Sequence, residues 1–510
     1  MAGVATTNTR FDAPSRLRRW PILQRMLRYP VRPWLAPALV TIVAGFLRFF
    51  RLGTPRELVF DETYYVKQAY SLLALGYEGR WAEDSDAPFA AGDFSGLQTE
   101  ADYVVHPPLA KWLIAAGLRL FGAESSFGWR FTAALLGTLT VFLLARAATH
   151  IFNSSIFGAA AGLLLAVDGL HLVHSRTALL DIFLTFFVVA AFTTLVCDHI
   201  SRRDAPDPPR LRPWLIATGV LLGLACAVKW SGIYYAAAFG IVAVIWECSR
   251  RLRFKDPHWL RRGLILDGIS AFVQMIPTAA LTYVLAWLPW FLQPQAYLRQ
   301  WAAENPGDGA LWLPPALRSL WEYHTQMWQF HNSLTSSHTY AADPWGWILQ
   351  LRPTSFFYEA PPDCGAQHCS AAITSLGNPA LWWGGALALL LLFILWLWWN
   401  DGRAGLILAG VAGGWLPWFI YASRTIFTFY AVVFAPFMAL AIVYAVHLIS
   451  HAPPGLSPVV TARRRNHSLV VLAAVCTLAV LLAVYFYPVW TAVTIPYEHW
   501  HWRMWLPSWV

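Results

Sequence analysis

Charged residues are scarce in this chain. They make up 13% of its 510 residues, whereas hydrophobic residues make up 57%, and a soluble domain usually carries about a quarter charged residues. This composition excludes an ordinary soluble protein and indicates an integral membrane protein. The net charge of +9 does not indicate nucleic-acid binding, because the basic residues cluster in short loops between apolar runs, as in cytoplasmic loops of membrane proteins.

Motifs of nucleotide-dependent enzymes and of transporters are also missing. The sequence has no P-loop, so nothing points to ATP use, and no Gly-rich dinucleotide fingerprint. Charges in the apolar runs gather near one surface and do not cross the bilayer, which argues against an ion path. No pair of Gly/Pro-broken helices occupies matching places in two halves, as in many transporters.

Cysteines number only six. Cys364 and Cys369 lie in a polar segment predicted to be outside the cell, where an oxidising environment favours a disulfide. A metal site that includes His368 is the alternative for this pair. The other cysteines lie in or near apolar runs and are interpreted as packing residues. They are Cys197, Cys226, Cys248 and Cys476.

The apolar runs predict an all-α polytopic membrane protein. About eleven of them have the length of roughly 20 residues that a bilayer core requires. The first run lacks a clear cleavage site and is predicted to be a signal anchor, while the stretch 108–121 is too short to span and is predicted to lie in the interface. The predicted spans are 34–50, 130–150, 156–172, 177–197, 214–229, 231–248, 268–292, 379–399, 404–422, 424–449 and 467–489.

The positions of the basic loops predict the orientation and the organisation of the chain. With the N-terminus in the cytoplasm, eleven spans place all Arg-rich loops inside and the large Trp-, Pro- and Gly-rich segments outside. These segments are therefore predicted to lie on the outer face of the membrane, and the membrane is predicted to be the cell membrane. The predicted regions are a cytoplasmic N-terminus (1–33), a catalytic module (34–292) with an extracytoplasmic loop (51–129), a second loop (293–378), a C-terminal module (379–489) and an outer tail (490–510).

Asp61 and Glu62 are the most informative residues. Two adjacent carboxylates in the polar segment after the first long apolar run indicate function, because charge near hydrocarbon is costly. A helix N-terminus that favours acidic residues is the plainer interpretation. The following stretch 63–74 has the apolar spacing of an interfacial amphipathic helix. In a second such helix, at 321–331, His331 shares one face with two other ring side chains.

Cations are predicted on the same side of the membrane as these carboxylates. Singly, each could extend from a helix end to the interface, but four around two carboxylates favour a site for a phosphate, which Arg binds bidentately and Lys as a point charge. His106 and Lys111 lie in the segment 104–111. They are predicted either to lie beside the carboxylates or to belong to a turn that is stopped by proline and leads into an interfacial helix. The four cations are Arg130, Arg176, Lys229 and Arg424.

A further polar group occurs at Asp168, His171 and His174. Their spacing puts the three side chains on one helical face. Zinc would require three or four ligands and a defined second shell, so hydrogen bonding among buried polar groups is the preferred interpretation. Either histidine remains a candidate for substrate contact. No metal site is predicted.

Ordered motifs resemble those of a known family. Residues 47–65 resemble the first-loop acidic motif of multi-pass glycosyltransferases that use lipid-linked sugars. The segment His106-Pro-Pro-Leu-Ala-Lys111 resembles the His-Pro-Pro-Leu-Gly-Lys motif of protein O-mannosyltransferases, with Ala110 in place of Gly. Residues 128–130, 176–181 and 338–353 are similar to the same family. The chain resembles its shorter, actinobacterial form, without the luminal β-trefoil insertion of eukaryotic members.

This resemblance implies a GT-C-type fold and an activity. Mannose would pass from polyprenyl-phosphate mannose to Ser or Thr of secreted proteins, without a cofactor or catalytic metal. Asp61 would be the catalytic base, Glu62 would support base or acceptor positioning, and Arg130 would be an essential partner at the site. Arg176, Lys229, Arg424 and Lys111 are then candidates for the donor phosphate. Candidates for substrate binding are His106, His171, His174 and His338.

The chemistry agrees with this expectation. A phosphate leaving group is already acidic, so one carboxylate that accepts the hydroxyl proton is enough, whereas glycosidases need two. Cations would neutralise the departing phosphate, and in-line displacement would invert the anomeric centre. A sibling transferase for arabinose or aminoarabinose and a non-catalytic transporter of lipid-linked sugars are the alternatives. The secretion translocon is a possible partner, because acceptors must be unfolded.

Overall fold

The computed structural model describes residues 34–450 and 457–510. The predicted cytoplasmic segment 1–33 lies outside the described residues. Apolar runs form the helices of the first half. In chain order these are α1 Leu35–Phe49, α2 Glu62–Ala74, α3 Asp86–Ala90, α4 Leu109–Phe121, α5 Ser126–Phe152, α6 Ser155–Ala166, α7 Gly169–His174, α8 Leu180–Arg202, α9 Pro213–Val228, α10 Gly232–Arg253, α11 Trp259–Arg262 and α12 Ile269–Ala286.

The second half contains fewer long helices, joined by more irregular chain. A π-helical turn at Gly263–Gly268 makes α11 and α12 continuous. The helices are α13 Leu288–Leu292, α14 Trp301–Glu304, α15 Pro315–Ser333, α16 Pro379–Trp399, α17 Gly402–Trp415, α18 Ala435–Ile449, α19 Pro458–Trp490 and α20 Tyr497–His501. The strands are β1 Gly79–Trp81, β2 Leu97–Ala101, β3 Thr354–Glu359, β4 Cys369–Ser375 and β5 Ile495–Pro496.

Six of the described helices are long and apolar enough to cross a membrane. They are α5, α8, α10, the α11–α12 rod, α16 and α19, and four shorter apolar helices (α1, α6, α9 and α18) accompany them. Large apolar side chains on the outer surface, such as Leu387 and Val470, suit contact with lipid. The chain is thus a multi-pass membrane protein, while the count of eleven spans stays a prediction.

In the C-terminal module, two of the predicted spans are shorter helices than expected. The runs 404–422 and 424–449 become α17, which ends at Trp415, and α18, which begins at Ala435. Between them the chain forms short 3₁₀ turns, and Pro417 and Pro436 interrupt the α-helix because proline lacks the amide donor and clashes with the preceding turn. Arg424 lies between these two 3₁₀ turns, and Tyr430 lies in the second of them.

Two small antiparallel sheets lie in the segments predicted to be outside, and the all-α prediction missed them. β1 pairs with β2, with Gly79 opposite Ala101. β4 lies between β3 and β5, with Phe357 opposite Ile373 and Ser370 opposite Ile495. Every residue of β4 is buried, so the strand shows no polar alternation, and its partner β5 is far away in sequence.

A buried polar network joins the two predicted modules. Asp168 accepts hydrogen bonds from the Asn378 amide (2.8 Å) and from Trp382 Nε1 (3.0 Å). The Asn378 side chain donates to the carbonyls of Val167 (3.1 Å) and Ala479 (2.8 Å). One apolar core surrounds this network and contains residues of both modules. The modules therefore pack as one body around the segments that carry the site.

Candidate active site

Asp61 lies between α1 and α2, at the first residue before α2. Its half-buried side chain does not cap the helix, and its carboxylate accepts no hydrogen bond from the described residues. The preceding residue, Phe60, has a left-handed backbone (φ 50°), and its ring stacks on Phe356 at 4.6 Å. Such strain persists only where the surroundings fix it. The stacked ring thus holds Asp61 in place.

Burial raises the pKa of Asp61 to about 6, with Lys229 lowering it and Asp181 raising it. A carboxyl group with this pKa is ionised at neutral pH but is a stronger base than an exposed aspartate. Asp61 therefore has the properties of a general base.

In contrast, both carboxylate oxygens of Glu62 accept hydrogen bonds. Its Oε1 and Oε2 accept hydrogen bonds from Arg130 Nε (2.8 Å) and Nη2 (2.7 Å). The same two oxygens also accept from the amides of Ala178 (2.8 Å) and Val59 (3.0 Å). Both charged side chains of this bidentate pair are buried. The pair fixes the start of α2 against α5 and the segment before α8.

Arg130 holds the Asp61 loop as well. It donates from Nη1 to the Pro55 carbonyl at 2.8 Å and from Nη2 to the Glu57 carbonyl at 2.9 Å. Because Nε and Nη2 also donate to Glu62, the guanidinium has little donor capacity left for a substrate. Its geometry is that of a clamp on the loop that carries Asp61.

Lys229 lies opposite Asp61, bound to a residue that the sequence analysis did not select. Its Nζ is 2.9 Å from Asp181 Oδ1 and 3.9 Å from the centre of the Tyr430 ring. Asp181 stands in the first turn of α8 and Lys229 directly follows α9. Acidic residues favour helix N-termini and basic residues favour helix C-termini, so both positions follow local preference. The antiparallel packing of α8 and α9 brings them together.

Arg424 is the cation with free capacity. Its Nε is buried without a hydrogen-bond partner, and no carboxylate within residues 34–450 and 457–510 forms an ion pair with it. It faces His106 and His331, whose rings are 5.2 Å apart. Burial, followed by cations that include Arg424, lowers the pKa of His106 well below its usual value and that of His331 to about 4. Both imidazoles are therefore neutral at physiological pH.

The structure places two of the predicted phosphate ligands in other contacts. Arg176 donates to backbone carbonyls at the end of α1, among them Arg48 (2.8 Å), Phe50 (2.7 Å) and Arg51 (3.1 Å). Lys111 forms a buried ion pair with Glu78 at 2.6 Å. A phosphate role for either residue stays a prediction.

The remaining predicted histidines differ in their surroundings. His171 accepts a hydrogen bond from Arg48 Nη2 at 2.8 Å and belongs to the buried network of Asp168. His174 is buried with neither ring nitrogen hydrogen-bonded. The exposed His338 lies edge-on to Phe427 at 4.9 Å. Substrate contact by any of them stays a prediction.

Cys364 and Cys369 are joined by a disulfide bond, which closes the turn between β3 and β4. Within the described ranges, no group of three or more His, Cys, Asp or Glu residues is arranged to hold a metal ion.

The sequence did not identify three residues that lie next to the site, which are Asp181, Tyr430 and His331. Asp181 could have been found by the argument that identified Asp61, because it is an acidic residue at the start of a long apolar run. Tyr430 and His331 give no comparable signal, since an aromatic side chain among many is unremarkable until its neighbours are known.

Two family models match the chain. One, described as dolichyl-phosphate-mannose-protein mannosyltransferase, matches residues 97–292. The other, described as the C-terminal four TMM region of protein-O-mannosyltransferase, matches residues 316–509. Together they account for most of the chain, including Lys229, Arg424 and Asp181.

Curated relatives match over nearly the whole length. The chain is 36% identical to a polyprenol-phosphate-mannose–protein mannosyltransferase of Mycobacterium tuberculosis (strain H37Rv), which covers 94% of this chain and 92% of the relative. It is 32% identical to the protein of the same name from Corynebacterium glutamicum, with 92% and 91% covered.

A solved structure shares the fold. The Saccharomyces cerevisiae protein O-mannosyltransferase Pmt1-Pmt2 complex bound to the sugar donor has a chain that aligns with a TM-score of 0.72 at 16% identity, covering 95% of this chain and 94% of that chain. The alignment shows that the two chains share a fold.

Proposed function

Because the chain belongs to the dolichyl-phosphate-mannose-protein mannosyltransferase family, we propose that it transfers mannose from polyprenyl-phosphate mannose to Ser or Thr hydroxyls of proteins. The likeness to named protein mannosyltransferases over more than nine-tenths of the chain carries this proposal. The unpaired Asp61 carboxylate in a cation-lined site supplies the chemistry.

Asp61 is the proposed general base. Its carboxylate takes the proton of the acceptor hydroxyl while that oxygen attacks the anomeric carbon of the mannosyl group. The bond from this carbon to the phosphate oxygen breaks, and the polyprenyl phosphate leaves as an anion that needs no protonation. Attack from the side opposite the phosphate inverts the anomeric centre. The mechanism requires no catalytic metal, because the leaving group is already acidic.

Arg424 is the strongest candidate for the donor phosphate. A guanidinium without a carboxylate partner can offer two parallel hydrogen bonds to phosphate oxygens. Lys229 is a second candidate, although Asp181 offsets part of its charge. His106 and His331, both neutral, suit hydroxyl groups of the mannosyl unit or of the acceptor better than the phosphate.

Glu62 and Arg130 are proposed to act through Asp61. Their bidentate pair and its contacts with loop carbonyls hold the segment 55–62 rigid. A base is effective only when its carboxylate stays within hydrogen-bond reach of the hydroxyl. This assignment makes both residues essential without direct contact with the sugar.

The proposed reaction takes place at the outer face of the cell membrane. The basic loops support a cytoplasmic N-terminus, which puts Asp61 outside, where secreted proteins emerge unfolded. The donor's apolar tail would lie among the membrane helices and its phosphate at the surface. Association with the secretion translocon would fit such acceptors.

The test is mannose transfer by membranes that contain wild-type protein, Asp61→Asn or Asp93→Asn at matched levels. Asp93 is an exposed aspartate of the same segment that is hydrogen-bonded to Ser95, and it provides the matched control. With labelled polyprenyl-phosphate mannose and a Ser/Thr-rich peptide, we expect transfer by wild type and Asp93→Asn, and a loss of at least about 100-fold for Asp61→Asn. No transfer by wild type would refute the proposed reaction, whereas equal transfer by all three would remove Asp61 from it.

A further inference from the structure

Two ion pairs join α8 to α9, one at each end of the antiparallel helices. Asp181 binds Lys229 at the end near Asp61, with Oδ1 and Nζ 2.9 Å apart. Asp198 binds Arg212 at the other end, about 25 Å away along α8 at 1.5 Å per residue. Both pairs are buried. They differ in their surroundings, since only the first pair lies beside an unpaired carboxylate.

Lys229 faces two carboxylates but is bonded to one. Its ammonium lies over Tyr430 and against Asp181, while Asp61 accepts no hydrogen bond from the described residues. An ion pair strongly favours the charged form of a carboxylate. A Lys229 bonded to Asp61 would therefore make Asp61 a poor proton acceptor.

We propose that Asp181 is a positioning residue of this site, whose carboxylate holds Lys229 and thereby leaves Asp61 unpaired and free to accept the acceptor's proton. The inference rests on the proposed transfer reaction and assigns Asp181 a role in it. Lys229 keeps its charge at the site and can still stabilise the donor phosphate electrostatically. Its position is fixed by Asp181 on α8 and not by Asp61.

The charged and titratable groups around Asp61 come from four parts of the chain. They are Tyr65 on α2, Asp181 on α8, Lys229 after α9 and Tyr430 before α18. After burial, the effects of Lys229 and Asp181 on the pKa of Asp61 oppose each other. Removing the charge of Asp181 must therefore lower the pKa of Asp61, because Lys229 remains. Removing the charge of Lys229 must raise this pKa, because Asp181 remains.

The experiment compares pH profiles of kcat/KM for mannose transfer, whose acidic limb reports the base of the free enzyme. For Asp181→Asn we expect the limb to move to lower pH by about one unit or more, because the released Lys229 pairs with Asp61. For Lys229→Met we expect a move to higher pH. In the double variant Asp181→Asn/Lys229→Met, the limb should return towards the wild-type position. Opposite shifts cannot arise from a folding defect.

Asp198→Asn provides the matched control, because it breaks the buried pair at the other end of the same helices. Its acidic limb should coincide with that of wild type, even if stability falls. An unshifted limb in both Asp181→Asn and Lys229→Met would overturn the inference while leaving the transfer reaction established. A wild-type protein that transfers no mannose would instead refute the proposed function itself.

Discussion

At the scale of single residues, the site contains an unpaired carboxylate and an unpaired guanidinium beside several charged groups that are paired. Asp61 and Arg424 keep free capacity, whereas Glu62, Arg130 and Arg176 are bonded to partners within the described chain. Free capacity in a buried setting is costly for stability. Its presence at two nearby residues is better explained by a substrate than by folding.

The pKa of Asp61 predicts the pH dependence of the enzyme. Because burial raises this pKa to about 6 and a base acts only when deprotonated, transfer should be maximal above pH 6 and fall about tenfold per pH unit below it. The acidic limb is measured from initial rates between about pH 4.5 and 8 in a buffer of constant ionic strength. An acidic limb near pH 4 would contradict the assignment.

Replacement of Arg424 should weaken binding of the lipid donor. Arg424→Ala removes a charged donor of hydrogen bonds, so we expect kcat/KM for the lipid donor to fall by about 10- to 100-fold, with a smaller loss for Arg424→Lys. Arg80→Ala is the matched control, because Arg80 lies in an exposed pair with Glu100. Equal kinetics for Arg424→Ala and wild type would assign the phosphate to another cation.

At the scale of elements, the loop between α1 and α2 is held by a buried ion pair rather than by its own secondary structure. Glu62 belongs to α2 and Arg130 to α5, and their carbonyl and amide partners lie in the loop and before α8. Three elements therefore meet at one bidentate contact, which aligns Asp61 with the residues of α8 and α9.

Breaking that contact should cost stability. Arg130→Met leaves Glu62 buried without its counter-charge, and we expect destabilisation of about 3–5 kcal/mol, seen as a lower Tm in detergent. The double variant Glu62→Gln/Arg130→Met should recover part of this loss. Breaking the exposed pair with Arg80→Met should cost at most about 1 kcal/mol. A Tm for Arg130→Met equal to that of wild type would show that the pair does not hold the loop.

The disulfide in the turn between β3 and β4 gives a second prediction at this scale. Cys364 and Cys369 close a loop of a few residues, and loop-closure entropy puts the stabilisation at about 2 kcal/mol. Replacing both by Ser should lower the Tm, with transfer activity retained at low temperature. Cys476→Ser, which removes a free thiol, is the control. Complete loss of activity would tie this turn to the site.

At the scale of the whole molecule, the charges divide between two ends. The cluster of ion pairs around Glu247, which includes Arg202, Arg212 and Arg250, lies at the end of α8 and α9 opposite to Asp61. If this end is cytoplasmic, an impermeant maleimide should label Glu359→Cys in intact cells, and Asp204→Cys only after permeabilisation. Both positions are exposed. The reverse pattern would invert the predicted orientation.

The sequence alone determined the class of protein and the family, and it selected Asp61 as the candidate base. Composition and the length of apolar runs decide membrane insertion because every backbone group in lipid must be bonded within its own segment. The ordered motifs, such as that around His106, identified the family, which the family models and the near-full-length relatives confirmed. These signals are local in the chain, so no contact has to be known.

Tertiary structure decided which charged residues remain available. Arg176 and Arg424 look alike in the sequence, yet Arg176 is bonded to carbonyls more than 120 residues away, while Arg424 lies in irregular chain between Pro417 and Pro436. The Asp181–Lys229 pair and the β4–β5 pairing likewise join distant segments. Whether a side chain is free depends on what packs against it, and packing between distant segments leaves no local pattern to read.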